Sequence, residues 1–445
     1  MNSKKIKKIT VELFALCIIL INASFGINAQ AVRNENFECR YQISGQTLSN
    51  ILYVGDGALG SYPTIQWAIN DAKDGDTVYV YDDSSPYYEQ LTIDKSINII
   101  GENKETTIID GSRSGTVVFI RADNVNISGF TVQNAGISNP SSAITSNADN
   151  VQLSNIIVTL SYYGIRFEYS HKNIVKDITV TNTVESGISL YESSENTIYS
   201  SYTSDSNYGI TISHSSNYNV LYAVAILDCN TGLDIQDSSF NSIYWNTISN
   251  NQQGIALENS NENEIFNENI LDSNTIGISL LNSDDNSIYD QNVIKENEIG
   301  IQLVSSSGTN IHQNIIKTNE YGILFDRSSN NDIYWNDITD NSYGVYVERS
   351  NGNQVYMNNI WDNHHYAVYL SFCKQTKIVY NNFFENYISA SFEQELFSRN
   401  SWKKNYWDDW SGRGNYKITG LLESPLPFTT WNCTDFQPSN TRYDI

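Results

Sequence analysis

The residues best suited to chemistry in this sequence form a column of aromatic side chains that recurs every 22 or 23 residues. Each follows the aliphatic residue of a phrase that is usually Asn-x-Ile-Tyr. The column reads Tyr199, Tyr222, Tyr244, Phe266, Tyr289, His312, Tyr334 and Tyr356, and Trp245 and Trp335 come next to two of its members. Stacked at the strand spacing, it would extend about 34 Å. Because aromatic faces pack against the C–H faces of sugars, the aromatic members predict a surface for an extended glycan. The alternative is that the rings stack on one another and only stabilise the edge of each repeat.

A second candidate is a pair of carboxylates, Asp326 and Glu348, which lie four residues beyond a recurring glycine in successive repeats. Backbones of adjacent strands are about 5 Å apart, so the pair could act as nucleophile and acid in a retaining glycosidase. The same oxygens could coordinate Ca²⁺. Arg327 and Arg349 follow them directly, and a surface charge network is therefore the simpler interpretation.

The elements that must position these residues come from a second repeated phrase, a glycine, an aliphatic residue, a variable residue and an apolar residue. It begins at Gly164, Gly187, Gly209, Gly232, Gly254, Gly277, Gly300, Gly322 and Gly344, with a degenerate copy at Ala367. A fixed period of this size indicates a solenoid, in which each repeat is too small to bury its own apolar face.

Short runs of alternating apolar and polar residues, separated by Asn, Ser, Asp and Gly, indicate three strands per repeat and leave no room for helices. Besides the glycine phrase, two inward columns are predicted. They are Ile198, Leu221, Ile243, Ile265, Ile288, Ile311, Ile333, Val355 and Ile378, and then Ile226, Ile248, Ile270, Val293, Ile316, Ile338, Ile360 and Phe383. Two Asn columns, one through Asn251 and one through Asn196, predict amides that hydrogen-bond along the solenoid axis.

The ends of the chain differ from the repeats. Four lysines, an apolar run and a small-residue site predict a signal peptide over residues 1–31, so we expect an extracellular, periplasmic or cell-surface protein with no later membrane span. Residues 32–62 are a lead-in and 63–383 the β-helix, which opens with a short amphipathic helix. Residues 384–445, rich in tryptophan, are predicted to close it as a cap.

The composition restricts the classes of molecule that the protein is expected to bind. A net charge of −24 argues against nucleic acid and against anionic membranes, and we expect a monomer. The cysteines of the mature chain are Cys39, Cys229, Cys373 and Cys433. Their wide separation favours thiols over a disulfide framework, although Cys39 and Cys433 could tether the two ends.

Several of these motifs resemble one family. Tyr62-Pro-Thr-Ile-Gln, Gly75-Asp-Thr77, Ile93-Asp-Lys-Ser-Ile97 and Asn405-Tyr-Trp-Asp-Asp-Trp410 are similar to NosD-type right-handed parallel β-helix proteins, as are the repeat phrases. The resemblance implies a pectin-lyase-like, all-β solenoid of a single coiled chain. It also implies a group of carbohydrate-binding proteins, sugar hydrolases and surface proteins, one branch of which assists the maturation of copper enzymes.

We therefore predict an exported β-helix that binds an extended glycan or cell-surface polymer without catalysis. The alternatives are a polysaccharide lyase or hydrolase using Asp326 and Glu348, a structural or adhesive surface protein, and a NosD-like accessory protein. No cofactor is expected. Copper needs soft ligands. The nearest set, Met357, His364, His365 and Cys373, does not converge in the repeat register.

Overall fold

The computed structural model describes residues 49–56, 61–395, 397–423 and 429–445. The predicted signal peptide and Cys39 lie outside these residues. From Asn50 to Ile445 the chain forms one compact unit. It is a right-handed parallel β-solenoid of about 15 turns. No helix of the described residues is long and apolar enough to cross a membrane.

One short helix, α1 (Ile65–Asp71), packs on the first coils. Thr64 caps it by accepting a hydrogen bond from the Trp67 backbone N–H at 3.2 Å. The Glu89 carboxylate accepts two further N–H bonds of the first turn, from Ile65 and Gln66. Its buried face is Ile65, Ala68 and Ile69, so the amphipathic helix predicted at this end is confirmed.

The strands of the early, irregular coils vary in length. They are β1 (Ile51–Val54), β2 (Thr77–Val80), β3 (Leu91–Ile93), β4 (Asn98–Gly101), β5 (Ile108–Asp110), β6 (Val118–Ile120), β7 (Asn126–Gln133), β8 (Ser142–Ser146), β9 (Gln152–Glu168), β10 (Ile174–Tyr191), β11 (Thr197–Tyr199) and β12 (Tyr202–Ser213).

The regular coils each contribute three strands. They are β13 (Val220–Tyr222), β14 (Ala225–Leu227), β15 (Thr231–Gln236), β16 (Ser242–Tyr244), β17 (Thr247–Ser249), β18 (Gln253–Glu258), β19 (Glu264–Phe266), β20 (Ile270–Asp272), β21 (Ile276–Leu281), β22 (Ser287–Tyr289), β23 (Val293–Lys295), β24 (Ile299–Val304), β25 (Asn310–His312), β26 (Ile315–Lys317), β27 (Tyr321–Asp326), β28 (Asp332–Tyr334), β29 (Asp337–Thr339), β30 (Tyr343–Glu348), β31 (Gln354–Tyr356), β32 (Asn359–Trp361) and β33 (Tyr366–Ser371).

The last coils and the hairpin that follows them complete the fold. Their strands are β34 (Lys377–Val379), β35 (Asn382–Phe384), β36 (Ala390–Glu395), β37 (Ser401–Lys403), β38 (Tyr406–Trp407), β39 (Tyr416–Glu423) and β40 (Thr429–Asp435).

Successive coils stack in parallel and form three outer walls. The ladder wall consists of β11, β13, β16, β19, β22, β25, β28 and β31, continued by β34 and β37. The second wall contains β14, β17, β20, β23, β26, β29, β32, β35 and β38. The third wall contains β15, β18, β21, β24, β27, β30, β33 and β36, and β9, β10 and β12 run through more than one wall. Each wall turns alternate side chains into one continuous apolar core.

The glycine phrase is explained by close approach between coils. A Cβ at Gly254 would lie 2.5 Å from the Gly277 carbonyl oxygen, and the same clash recurs along the third wall. A side chain there would clash with the backbone of the next coil, so the repeat favours glycine at this strand position, with Ala367 as the exception in the last copy.

The predicted Asn columns are confirmed, and a third is present. The Asn251 amide donates to Asn274 Oδ1 at 2.9 Å, and the Asn196 amide to Asn219 Oδ1 at 3.0 Å. The column that the sequence reasoning missed runs through Asn246, Asn269, Asn292, Asn314, Asn336, Asn358, Asn381 and Asn405. These amides satisfy corner backbone groups that would otherwise be buried without a partner.

The prediction of the second inward-facing column was wrong in two coils. Ile270 is exposed and Val293 is half-buried, whereas Leu271 and Ile294 are fully buried. The preceding corner holds two positive-φ residues in these coils, as in Asn267-Glu268, but one in Trp245 and Trp335. The extra residue shifts the strand by one position, which exchanges its inward and outward faces.

Both boundaries of the solenoid also extend beyond the predicted ones. β1 lies within the predicted lead-in, yet it pairs in parallel with β2. At the other end β35 pairs in parallel with β38, so coiling continues past residue 384 although the phrases have faded. The antiparallel hairpin β39–β40 then follows the last coil.

A single carboxylate closes the third Asn column. Asp435 is fully buried and accepts hydrogen bonds from the Lys404 and Asn405 backbone N–H groups, the Asn405 amide and the Trp407 indole. Trp407 stacks on Phe383 with ring centroids 4.4 Å apart. The Asn405-Tyr-Trp407 motif therefore ends the solenoid by satisfying its last open corner.

Candidate functional site

The aromatic column forms one continuous stack on the ladder wall. Consecutive rings have centroids between 4.6 and 5.3 Å apart, and most pairs are within 18° of parallel, from Tyr199–Tyr222 to Tyr334–Tyr356. The exception is Tyr244–Phe266, which is tilted by 36°. The prediction that residues 22 or 23 apart lie over one another on an outer wall is confirmed.

The stacking changes what these rings can contact. Tyr289, for example, has Phe266 on one face and His312 on the other, at 5.3 and 5.1 Å. A sugar therefore cannot pack on the faces of the inner rings, and only their edges and hydroxyl groups are open. The geometry favours the alternative interpretation for the column, that it stabilises the wall. Face-on glycan contact by the inner rings Tyr222, Phe266 and Tyr289 is therefore not supported, whereas Tyr199 and Tyr356 at the ends of the stack have a ring on one face only.

Trp245 and Trp335 are differently placed. The ring of Trp245 is 5.2 Å from that of Tyr244 and at 76° to it, and Trp335 stands at 69° to Tyr334 at the same distance. Both faces of Tyr244 and of Tyr334 are covered by their neighbours in the stack. Each tryptophan therefore approaches the edge of its tyrosine at a steep angle and stays about half exposed beside the stack.

The two tryptophans are matched in exposure and position. Trp245 is 51% and Trp335 48% exposed, and both occupy the corner directly after the ladder wall with φ near 56°. They are four coils apart, about 19 Å along the axis at the strand spacing. We call these two residues the tryptophan pair.

Polar groups lie on the other side of the ladder. A depression of about 550 Å³ is lined by Phe240, Ser242, Glu262, Asn263, Glu264, Asp285 and Ser287. Ser242 and Ser287 precede the ladder residues by two positions and so face outward with them. The depression supplies hydrogen-bond acceptors and hydroxyl groups next to the aromatic stack.

The ladder carries no charge at neutral pH. Burial lowers the pKa of His312, so its imidazole stays neutral between Tyr289 and Tyr334. Burial likewise raises the pKa of Tyr222, Tyr289 and Tyr356 above the ordinary value, and their hydroxyl groups stay protonated. A neutral stack is compatible with a neutral ligand.

The predicted carboxylate pair is held by arginine. Arg349 contacts both Asp326, at 3.0 Å, and Glu348, at 3.2 Å, and Arg327 pairs with the second oxygen of Asp326 at 3.0 Å. Both arginines are more than half exposed. The carboxylates therefore belong to a surface charge network, an arrangement that favours neither a glycosidase pair nor a Ca²⁺ site.

The residue with the most perturbed carboxyl was missed by the sequence reasoning. Asp234 occupies the variable position of a glycine phrase on the third wall and is 8% exposed. Burial, and after it the Glu258 carboxylate, raise the pKa of Asp234 to about 7. The available signal was an acidic residue at an outward position between Thr211 and Ala256, its neighbours in the register.

Together the fold and these surfaces define the class of protein: a parallel β-helix with an aromatic ladder and two exposed indoles on one wall. The chain belongs to the family described as periplasmic copper-binding protein (NosD), which matches residues 102–276 and 266–416. No curated protein matches the sequence significantly.

Three solved structures are similar to this chain at low sequence identity. A double mutant of the periplasmic alginate epimerase AlgG is 15% identical with a TM-score of 0.47, covering 64% of this chain and 75% of that chain. DFA-IIIase from Arthrobacter chlorophenolicus A6 is also 15% identical with a TM-score of 0.47, covering 59% and 84%. PfbA, a surface adhesin of Streptococcus pneumoniae, is 13% identical with a TM-score of 0.45, covering 84% and 95%. At these values no function is transferred.

The family description raises the question of copper, and the described residues do not fit it. Within the described ranges no three His, Cys, Asp or Glu side chains come together as a metal site. Burial raises the pKa of Cys373 to about 12, so its thiol stays protonated. His364 pairs with Asp340 at 2.7 Å, and His365 packs against Tyr343 and Tyr366. These residues point to separate partners and do not converge.

Proposed function

We propose that this protein binds an extended neutral polysaccharide along the ladder wall, with Trp245 and Trp335 as its stacking platforms. The observation that carries the proposal is the half-exposed indole of each tryptophan, set at a steep angle to a stack whose inner ring faces are covered. Two such platforms about 19 Å apart suit a polymer that lies along the solenoid axis.

The remaining wall chemistry supports the same ligand class. The Tyr244 and Tyr334 hydroxyl groups and the polar depression at Ser242 and Glu264 offer hydrogen bonds to sugar hydroxyls on either side of the stack. The net charge of −24 opposes polyanions. A neutral glycan can form these hydrogen bonds and is not repelled by the negative charge of the protein.

The proposal places the protein outside the cytoplasm as a monomer. It is supported by the family's periplasmic description and by the signal-like residues 1–31. The mature N-terminus is expected after residue 31, which N-terminal sequencing of a periplasmic or secreted fraction checks. Static light scattering is expected to give one chain per particle.

Affinity electrophoresis tests the binding itself. Gels containing glucan, mannan, galactan or xylan are expected to retard the wild type, and gels containing a polyuronate are not. The variant Trp245→Ala/Trp335→Ala should lose at least tenfold in apparent affinity. Trp67→Ala is the matched control, because Trp67 is 55% exposed but lies on α1. No retardation in any neutral gel, or equal retardation of the double variant, would leave the structural or adhesive alternative.

A further inference from the structure

A strip of polar residues on the third wall is built unlike the rest of the solenoid. Arg166, Ser189, Thr211 and Asp234 are register partners in four successive coils, one above another on the outer face. The strip is about 14 Å long at the strand spacing. It has a cation at one end, a carboxyl at the other and hydroxyl groups between them.

The carboxyl end of the strip is buried without an adequate partner. Asp234 is more than nine-tenths buried, and within the described residues the side-chain hydrogen-bond partner of its carboxyl is the Gln236 amide. The Gln236 amide, two residues along the same strand, lowers the pKa by less than burial raises it. Burial of a carboxylate with so little hydrogen bonding is unfavourable, and a ligand that donates hydrogen bonds to it would recover part of that free energy.

The cationic end is also incompletely satisfied. Arg166 Nη2 pairs with Glu168, whereas its Nε and Nη1 are buried and have no partner among the described residues. The guanidinium lies 4.6 Å from the ring centroid of Tyr163 and 5.9 Å from that of Tyr191. Two donors are therefore buried without a partner beside two aromatic rings.

The chemistry along the strip selects the ligand. It must donate hydrogen bonds near Asp234, and it must have apolar C–H surface for the flanking rings. A sugar does both, whereas a polyanion is repelled by Glu168, Glu185 and Glu258. We propose that the strip from Arg166 to Asp234 is a second saccharide-binding site, in which the Asp234 carboxylate accepts hydrogen bonds from sugar hydroxyls.

Binding at this site is expected to be linked to protons. The pKa of Asp234 is about 7 in the free protein, so the acceptor form is populated only above neutral pH. The groups that face it are Glu258, Tyr208 and Gln236, with Glu185 near Tyr208 and Arg166 three coils away. Since the ionised fraction scales the apparent affinity, binding at pH 5.5 is expected to be about 30-fold weaker than at pH 8.5.

Titration calorimetry with neutral glucan, mannan, galactan and xylan oligosaccharides tests this site independently of the ladder wall. The wild type is expected to show two sites per chain at pH 8.5 and one at pH 5.5. Asp234→Asn has the shape of the protonated acid and should fold, and it is expected to show one site at both pH values. Asp362→Asn, at an exposed corner, is the control and should behave as the wild type.

The tryptophan variant separates this proposal from the proposed function. Trp245→Ala/Trp335→Ala is expected to keep one site at pH 8.5 and to lose it at pH 5.5. If that variant binds nothing at pH 8.5, or if Asp234→Asn retains the pH dependence, the strip is not a binding site and the ladder wall stands alone. If the wild type shows only the site that Asp234→Asn removes, the ladder-wall proposal fails and the strip remains. Absence of binding to every oligosaccharide overturns both.

Discussion

The ladder wall and the third wall are formed by the same coils, but their outward-facing residues differ in regularity. On the ladder wall nearly every coil places a similar ring at the same position, and each ring satisfies its neighbours. On the third wall Arg166, Ser189, Thr211 and Asp234 differ from coil to coil, and two nitrogens of Arg166 have no partner among the described residues. Similar rings at the same position in successive coils stack on one another, and this stacking stabilises the wall. A break in the repetition leaves groups that a ligand can satisfy.

The largest expected effect lies on the third wall and depends on pH. The pKa of Asp234 is raised from 3.8 to about 7, so the folded protein keeps a proton that the unfolded chain releases. Its contribution is complete below pH 4 and is lost as pH rises to about 7, a change of up to about 4 kcal/mol. Urea unfolding of the wild type and Asp234→Asn from pH 4 to 8 measures it. A constant difference between the two would contradict the burial of this carboxyl.

The next effect concerns the ladder itself. Tyr289→Ala removes contacts with the rings on both sides and is expected to destabilise the protein by about 2–3 kcal/mol. Gln302→Ala, at an outward position of the third wall, should change stability by less than about 0.5 kcal/mol. Chemical unfolding of both variants makes the comparison. Equal effects would show that stacking does not distinguish the two walls.

A smaller effect on stability is expected for the tryptophan pair. Trp335→Ala loses one edge contact and leaves both faces of Tyr334 stacked, so the cost should be about 1 kcal/mol. Its effect on glycan retention should be much larger than its effect on unfolding. A variant that loses stability and binding in proportion would assign Trp335 to the ladder and not to the ligand.

The smallest effect is expected in the charge network. Arg349→Ala breaks two contacts of an exposed guanidinium, and exposed ion pairs contribute about 1 kcal/mol or less. The difference from the wild type should shrink further in 0.5 M NaCl because salt screens it. Glycan binding should not change. A loss of binding in this variant would return Asp326 and Glu348 to the list of functional residues.

Much of this architecture could be predicted because every coil must make the same contacts with the coils on either side. The glycine at Gly254 and the amides at Asn251 and Asn274 are required by contacts between neighbouring coils, and so they recur in the sequence. Ile270 and Val293 were wrongly predicted to face the core. One extra residue at the preceding corner exchanges the inward and outward faces of the strand, and a period of 22 or 23 residues does not show at which corner that residue is inserted. The predicted end of the solenoid was too early because β38 belongs to a further coil that lacks the repeated sequence phrases.

The sequence by itself determined the columns: which residues stack, which face the core and which stand outside, since a fixed period converts spacing into position. Only the tertiary structure decided what each column is free to do. The inner rings of the ladder are covered on both faces at about 5 Å, and the two tryptophans stand half-exposed beside them. Arg349 occupies the space between two carboxylates, and Asp234 is buried on an outer wall. Orientation and burial depend on neighbours from other coils, and no repeat contains that information alone.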